Sequence, residues 1–376
     1  SDCCYWDGIK CDAKSGEVIK LDISFSCLHG RFHSNTSLFM LQNFRSLTTL
    51  DLSYNDLFGE IPSSVGNLYR LSFLNLSSNQ LTGQIPSSIG NLSYLTSLDI
   101  SHNSFTGQIL SSIVNFSHLT YLDLSDNSFT GQILSSIGKL SHLKSLHLYN
   151  NQFWGQIPSS IGNLSNLITS LHLSRNNLTG QILSSVINFS HLTSLDLSFN
   201  HFTGQITSSI GNLSRLVFLD FSYNNFHGSI PSSFGRLNKL TSLDISSNKL
   251  SGNFPIILPN LTELFYLSLY SNKFTGTLPP NITSLSNLKY FLASANTFVG
   301  TLPSSLFTLP SLIMIDLRNN KLNGTLEFGN SSSPSQLKSL NLGNNNFRGP
   351  IPRSVSKLVH LDFLNISNNK ITGQVP

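Results

Sequence analysis

The sequence predicts an α/β-type repeat solenoid, a superhelix with a parallel β-sheet on its concave face and a mostly irregular or 3-10 helical convex side. Three observations predict this fold. One pattern recurs along the 376-residue chain at an almost constant spacing, and such a period takes precedence over any domain count suggested by length. Within each copy, leucines alternate with polar residues over a short run, as in a half-buried strand. Charged residues make up only 11% of the chain, against about 25% in an ordinary globular domain.

An asparagine that follows each run of alternating leucines defines the repeat. It returns every 24 residues, except for two steps of 25 residues that end at Asn176 and Asn345. The full series is Asn55, Asn79, Asn103, Asn127, Asn151, Asn176, Asn200, Asn224, Asn248, Asn272, Asn296, Asn320, Asn345 and Asn369. A weaker copy with Ser26 in the asparagine position precedes them, which makes about fifteen copies. The consensus L-x-x-L-x-L-x-x-N-x-L-x-G-x-I-P is the leucine-rich-repeat signature.

Each position of the repeat has a mechanical role. In the copy around Asn55, Leu50 and Leu52 are expected to point inward from a short strand while the residues between them point outward. The asparagine amide can satisfy backbone groups where the chain turns away from the sheet. Gly59 suits a tight bend because it has no Cβ, and Pro62 starts the return path over the convex side. One repeat cannot cover its own leucines, so stacking of neighbouring repeats supplies the stability.

Phenylalanine stands two residues after the asparagine in many copies, and we expect these rings to form a buried column rather than a ligand-binding set. The column comprises Phe105, Phe129, Phe153, Phe202, Phe226, Phe274, Phe298 and Phe347.

Several functions are excluded by absent signals. The sequence has no H-E-x-x-H, G-x-S-x-G, P-loop or G-x-G-x-x-G motif, so we predict that the protein is not an enzyme and has no cofactor or metal centre. A net charge of +4 over the chain forms no basic stripe, which argues against nucleic-acid binding. No apolar run reaches the length of a membrane span.

Aspartates recur in the L-D-L-S segment. Asp99 with Asp123, and Asp196 with Asp220 and Asp244, are predicted to lie side by side on neighbouring strands. Such stacks either form a hydrated acidic stripe, or raise one another's pKa and bind a cation.

The block D-C-C-Y-W-D-G-I-K-C-D at residues 2–12, together with G-x-I-P repeats that continue as S-S-I-G-N-L, resembles plant extracellular leucine-rich-repeat proteins. It most resembles the receptor-like proteins, the class of the Cf-type fungal-resistance receptors. The resemblance implies an ectodomain on the apoplast-facing side of the plasma membrane, anchored in the full-length form by one membrane helix with a short tail that lacks a kinase. It also implies that a receptor-kinase adaptor and a co-receptor kinase bind through segments outside this chain.

The resemblance further implies a disulfide between Cys4 and Cys11, which leaves Cys3 without its usual partner. Cys27 lies beside Ser26 in the first copy, and we expect it to be a buried thiol. We divide the chain into residues 1–17, a remnant of the cysteine-containing N-terminal cap, and residues 18–376, about fifteen repeats of which the last is uncapped. We therefore expect a piece of a longer receptor.

Ligand-binding candidates are outward strand positions at which aromatic, histidine or arginine side chains replace the generic Ser and Asp. The alternative is drift on a surface that packing does not constrain. The first zone, around the fifth to eighth strands, comprises His147, Tyr149, His172, Arg175, Phe199, Phe218 and Tyr223. The second zone, around the tenth to twelfth strands, comprises Tyr266, Tyr270, Tyr290, Leu292, Met314 and Arg318.

His147 and His172 occupy the same outward position on neighbouring strands, so we predict a separation of about 5 Å, the strand spacing. Such a pair either tunes the affinity for an acidic ligand with pH or consists of two hydrated histidines outside any site.

Sequons of the N-x-S/T type fit a glycosylated extracellular surface. The candidates are Asn35, Asn91, Asn115, Asn163, Asn177, Asn188, Asn212, Asn260, Asn281, Asn323 and Asn330. Two further sequons, at Asn75 and Asn365, are predicted on concave strands, where a glycan would block a ligand.

The favoured function is the ligand-sensing ectodomain of a plant cell-surface receptor-like protein that recognises a pathogen-derived peptide or protein on its concave face. One alternative is a developmental receptor that senses an endogenous peptide. Another is a secreted protein of the polygalacturonase-inhibitor kind, against which the larger number of repeats counts.

Overall fold

The computed structural model describes residues 3–32, 44–109, 111–164, 167–182, 186–328 and 335–374, without the side chains of residues 111 and 114. These residues belong to two compact units, Ser1–Leu192 and Thr193–Pro376. Within the described ranges the regular elements are β-strands and short 3-10 helices, with no α-helix among them.

Each unit contains a sheet built from the x-L-x segments, which we call the main sheet. In the first unit its strands, in spatial order, are Ile9–Cys11, Val18–Asp22, Thr49–Asp51, Phe73–Asn75, Ser97–Asp99, Tyr121–Asp123, Ser145–His147 and Ser170–His172. The first two strands pair antiparallel, and all the later pairs are parallel.

The main sheet of the second unit is parallel throughout and also follows chain order. Its strands are Ser194–Asp196, Phe218–Asp220, Ser242–Asp244, Tyr266–Ser268, Tyr290–Leu292, Met314–Asp316, Ser339–Asn341 and Phe363–Asn365. Equivalent repeat positions are opposite each other, as in the pair Leu219 and Leu243.

A second set of short parallel strands follows the asparagine in each repeat. In the first unit these are His29–Phe32, Asp56–Glu60, Gln80–Gly83, Ser104–Gly107, Ser128–Gly131, Gln152–Gln156 and Asn177–Gly180. In the second unit they are His201–Gln205, Asn225–Gly228, Lys249–Asn253, Lys273–Thr275, Val299–Gly300, Lys321–Gly324, Asn346–Gly349 and Lys370–Ile371. Most of these strands end at the glycine of the predicted bend or one residue beyond it. Gly59, for example, has φ of +97°, and a Cβ there would lie 2.8 Å from the carbonyl oxygen of Phe32.

The described residues also form short 3-10 helices, nearly all of them on the return path and three of them over S-S-I-G-N segments. They are Cys3–Tyr5, Ser63–Asn67, Ser87–Asn91, Ser111–Asn115, Ser135–Lys139, Ser159–Asn163, Val186–Asn188, Ser208–Asn212, Ser232–Arg236, Leu258–Asn260, Ser304–Thr308 and Arg353–Lys357. Several start after a residue held extended, such as Pro86 with ψ of 141°.

The core lies between the main sheet and this return path. The inward leucines are fully buried, for example Leu219 and Leu243 at 0% exposure. The predicted phenylalanine column is confirmed, because its rings are buried and neighbouring rings stack, as for Phe202 and Phe226 with centroids 6.3 Å apart. Burial of such rings against the next repeat stabilises the stack by dispersion and by removing apolar surface from water.

The asparagines link the repeats by hydrogen bonds. The Asn224 side-chain amide donates to the carbonyl oxygens of Leu197, Phe221 and Ser222 at 2.9, 3.2 and 3.1 Å. Its Oδ1 accepts the Phe202 N–H at 2.9 Å. The role predicted for this column is thus confirmed, and the predicted parallel-sheet repeat fold is observed in both units.

The Cys4–Cys11 disulfide implied by the resemblance is present. Cys3 and Cys27 are free thiols. The expectation that Cys27 is buried was wrong, because its side chain is exposed. The reason lies in the repeat, since the position directly after the asparagine points to solvent in other copies, as Gln80 and Ser104 do.

Candidate ligand-binding face

The outer face of each main sheet carries the side chains that alternate with the buried leucines. In most repeats two strand positions and one position just after the strand contribute to it, and a fourth position precedes the asparagine. That fourth residue has φ near +50°, as in Arg175, Phe199 and Tyr223 at 53°, 50° and 51°. All three are exposed. The same turn in every repeat therefore lines up a column of outward side chains.

In the first unit, the structure brings His147 and His172 together. The two residues are opposite each other in the parallel register, and their rings stack with centroids 4.8 Å apart. The predicted spacing of about 5 Å is met. The Ser170 hydroxyl lies 2.9 Å from His147 Nε2 and 3.4 Å from His172 Nε2, so it links the two rings.

An aspartate completes this cluster. Asp123 Oδ2 lies 3.1 Å from His147 Nδ1 and accepts the Tyr121 hydroxyl at 3.0 Å. The His147 and Asp123 side chains are only 16% and 8% exposed. Sequence reasoning did not assign Asp123, Tyr121 or Ser170 to the site. The sequence contained one signal for Asp123, because Asp123 and His147 occupy the same position in successive repeats.

Burial and hydrogen bonds shift the pKa values of the acidic groups in and beside this cluster. Burial by itself would raise the pKa of Asp123, but hydrogen bonds from His147 and Ser125 hold that pKa below its ordinary value. Burial raises the pKa of Tyr121, and the charges of Asp123 and Asp99 add to this effect. Burial also raises the pKa of Asp99. Asp123 is therefore the stably ionised acid beside the histidines.

Tyr149 and Arg175 follow the two histidines along the chain, two residues after His147 and three residues after His172. The Tyr149 ring lies 6.5 Å from the His147 ring, and burial raises its pKa. Arg175 is exposed. With the His147 cluster, these residues offer hydrogen-bond donors, one fixed positive charge and an aromatic surface.

The remaining residues of the first zone belong to the second unit and form their own group. Phe199 and Tyr223 are 38% and 43% exposed, and their rings stack at 4.1 Å. The Tyr223 hydroxyl contacts the hydroxyl of Tyr270, whose ring stands edge-on at 6.2 Å. Tyr270 comes from the second zone, so in this unit the two predicted zones join. Phe218 is half-buried on the strand that precedes Tyr223.

The aspartate stack predicted for this unit is present. Asp196, Asp220 and Asp244 are opposite one another on successive strands. Burial raises the pKa of Asp220 to about 7, and the charges of Asp244 and Asp196 contribute. The Tyr266 hydroxyl donates to Asp244 Oδ2 at 3.3 Å, and burial with the Asp244 charge raises the Tyr266 pKa to about 12.

The rest of the second zone continues along the same face. Tyr290 is opposite Tyr266, with ring centroids 6.1 Å apart, and Met314 is opposite Tyr290. Leu292 is half-buried in the aspartate column. Arg318 Nε lies 3.3 Å from Asp316 Oδ2, so its charge is already paired.

Other predicted features have the following positions. The described glycosylation candidates are all exposed: Asn91, Asn115, Asn163, Asn177, Asn188, Asn212, Asn260, Asn281 and Asn323. Asn35 and Asn330 lie outside the described residues. Asn75 and Asn365 are half-buried on main-sheet strands.

Metal-binding clusters and membrane-spanning helices are both absent from the residues that the structure describes. Among them, no group of three or more His, Cys, Asp or Glu side chains is arranged to hold a metal ion. No helix in those ranges has the length and apolar character that crossing a membrane requires.

Comparison with protein families gives a match to the model described as leucine-rich repeat region over residues 170–367. Models of the leucine-rich repeat match residues 45–105, 70–129 and 142–164. Receptor-like protein 33 of Arabidopsis thaliana is 71% identical over 66 residues, which are 18% of this chain and 8% of that protein. The matched segment thus spans a small part of the curated relative.

Two solved structures are similar over most of the chain. The plant peptide hormone receptor RGFR1 in complex with RGF2 has a TM-score of 0.86 at 30% identity, covering 99% of this chain and 65% of that one. A TDR receptor has a TM-score of 0.76 at 31% identity, covering 92% of this chain and 68% of that one.

Proposed function

The chain belongs to the leucine-rich repeat family, and from that premise we propose that it is the ligand-sensing ectodomain of a plant cell-surface receptor-like protein. Its ligand is a pathogen-derived peptide or protein, bound on the outer, concave face of the main sheet. The signal passes to a receptor-kinase adaptor and a co-receptor kinase through segments outside this chain. The full-length protein is anchored in the plasma membrane and faces the apoplast.

The observation that carries this proposal is the contrast between the two faces of the sheet. The inner face repeats the same buried leucines, whereas the outer face replaces Ser and Asp by rings and charges in particular repeats. Aromatic and arginine side chains contribute most of the binding energy at many interfaces. Packing does not require such residues at outward positions, so recognition is the better explanation for them.

The first unit supplies a site for an acidic group of the ligand. His147 lies against ionised Asp123, and its ring stacks on the ring of His172. Imidazole side chains as a class change charge in the mildly acidic range, so this pair is the part of the face at which the affinity for a ligand can depend on pH. An acidic ligand is therefore expected to bind more tightly at low pH.

A second candidate function is recognition of an endogenous peptide. It is favoured by the similarity to RGFR1, which is described as a peptide hormone receptor in complex with RGF2. An extended peptide can lie across successive strands and contact one outward position in each repeat.

Responses of living cells separate the two candidates. Plant cells that express the full-length receptor are treated either with microbial culture filtrates or with secreted peptides of the same plant, and the calcium response is recorded. We expect a response to the microbial material that is weakened in the variant Tyr149→Ala with Arg175→Ala. The control, Ser87→Ala on the return path, should respond normally. A response only to the plant's own peptides would establish the second candidate instead.

The histidine pair is tested with the filtrate fraction that triggers the response. Its binding to the parent and to His147→Asn with His172→Asn is titrated from about pH 5 to about pH 7.5. The parent should bind more tightly at the acidic end, and the variant should show a flatter profile. Parallel profiles would show that the histidines are bystanders.

A further inference from the structure

The second unit holds an acidic column whose charge is not balanced by its neighbours. Asp196, Asp220 and Asp244 are opposite one another on the outer face of parallel strands. Among the described residues, neither Asp220 nor Asp244 is in an ion pair with Lys, Arg or His. Asp316, in the same column, differs because Arg318 pairs with it. No Lys, Arg or His of the described residues therefore neutralises Asp220 or Asp244.

Aromatic side chains stand on both sides of these two carboxylates. On one side, Phe218, Ser242 and Tyr266 are opposite one another in the register, so a small serine separates two rings. On the other side, Tyr223 and Tyr270 touch through their hydroxyl groups. Tyr223 and Tyr270 are two repeats apart, and their contact spans the intervening strand. The carboxylates thus form the floor of a trough with aromatic walls.

A buried serine hydroxyl at this floor lacks a hydrogen-bond partner. Ser246 is two residues from Asp244 on the same face, and its N–H donates to Asp244 Oδ1 at 2.9 Å. The side chain of Ser246 is 0% exposed, and its Oγ has no partner. A buried hydroxyl without a partner is costly, so this oxygen points to a hydrogen-bond partner supplied by a ligand.

We propose that this trough, formed by Asp220 and Asp244 between the rings of Phe218, Tyr223 and Tyr266, binds the guanidinium group of an arginine in the peptide ligand. The proposal rests on the proposed receptor function and specifies one chemical group of the ligand.

A guanidinium fits both parts of the trough. Its planar face stacks on aromatic rings, and its five N–H donors form a fork suited to carboxylates. Adjacent strands are about 4.8 Å apart, so one guanidinium can bridge two carboxylates on neighbouring strands. Burial that raises the pKa of Asp220 to about 7 means that this acid holds a proton near pH 6. A bound cation favours the ionised acid, so binding should release that proton.

The test is isothermal titration calorimetry of the intact chain with a synthetic peptide of alternating serine and arginine, blocked at both ends. A peptide in which uncharged citrulline replaces arginine is the matched probe. Near pH 6, the arginine peptide should bind the parent at least about tenfold more tightly than it binds Asp220→Asn with Asp244→Asn. Titrations in buffers of different ionisation enthalpy should show proton release with the parent and little with the variant.

The substitution preserves the local fold. Asn75 already occupies this column in another repeat, where its Oδ1 accepts the Ser77 N–H at 3.0 Å just as an aspartate does. A matched control removes the same charge elsewhere, through Asp22→Asn with Asp51→Asn. These two residues are also opposite each other, but Lys20 lies 3.1 Å from Asp22. The control should bind the arginine peptide like the parent.

Three results would overturn the proposal: equal binding by the parent and Asp220→Asn with Asp244→Asn, equal binding of the citrulline peptide, or equal binding of the same peptide with lysine for arginine. The receptor function is judged separately, by the calcium response to natural ligand. If that response persists while the arginine peptide fails, the receptor proposal stands and the arginine site is refuted.

Discussion

Replacing Asp220 by asparagine should make the protein more stable at pH 8 and leave its stability nearly unchanged near pH 3.5. Burial raises the pKa of Asp220 from its ordinary 3.8 to about 7. Between these two values the folded chain binds more protons than the unfolded chain, so the free energy of unfolding falls as pH rises. One pKa unit corresponds to about 1.4 kcal/mol, which sets an upper limit of about 4 kcal/mol for the gain at pH 8. Asparagine avoids the loss because it carries no charge.

The assay is urea unfolding followed by circular dichroism at a series of pH values. Asp123→Asn is the contrasting variant, because hydrogen bonds hold the pKa of Asp123 below its ordinary value. Asp123 stabilises the fold above about pH 4, and this contribution is lost as pH falls through its folded pKa. Asp123→Asn should therefore be less stable than the parent at pH 8. A gain for Asp220→Asn that does not grow with pH, or no gain at all, would refute the reasoning.

Two further predictions concern the scaffold. Asn224→Ala should lower the free energy of unfolding by about 3 kcal/mol, because several buried backbone groups lose their hydrogen-bond partner. The control Asn225→Ala, at the next position in the chain, should change the free energy of unfolding by less than about 0.5 kcal/mol. Equal urea midpoints for the two variants would contradict this prediction. Thiol labelling of the folded chain, read by mass spectrometry, should modify exposed Cys27 and neither Cys4 nor Cys11; modification of both Cys4 and Cys11 would exclude their bond.

The main sheet was predictable because every repeat carries the same strand pattern in its sequence. The inward Leu219, the asparagine turn at Asn224 and the buried ring of Phe226 recur at one spacing, so averaging over copies removes the ambiguity of any single short strand. The second set of strands, such as Gln80–Gly83, was not predicted. The backbone hydrogen bonds of these strands are made with the neighbouring repeat. Their few residues give a sequence pattern that cannot be distinguished from that of a turn.

Contacts across repeats explain what the sequence did not reveal about the site. The path from Asp123 through His147 to Ser170 involves side chains on three strands, and its geometry depends on side-chain orientation as well as on column position. The contact between Tyr223 and Tyr270 skips a repeat, so a comparison of adjacent strands cannot find it. The position of a residue in the repeat predicts which residues lie next to it, but only the structure shows which of these neighbours its side chain contacts.

Hydrogen–deuterium exchange with and without a bound ligand tests the central claim, recognition on the outer face, most directly. The ligand is the fraction that triggers the calcium response. We expect slower exchange in outer-face segments of either unit, such as residues 145–149, 170–175, 218–223 and 266–271, and no change in return-path helices such as Ser208–Asn212. Protection confined to the return path, with unchanged exchange in the main-sheet strands, would contradict the account.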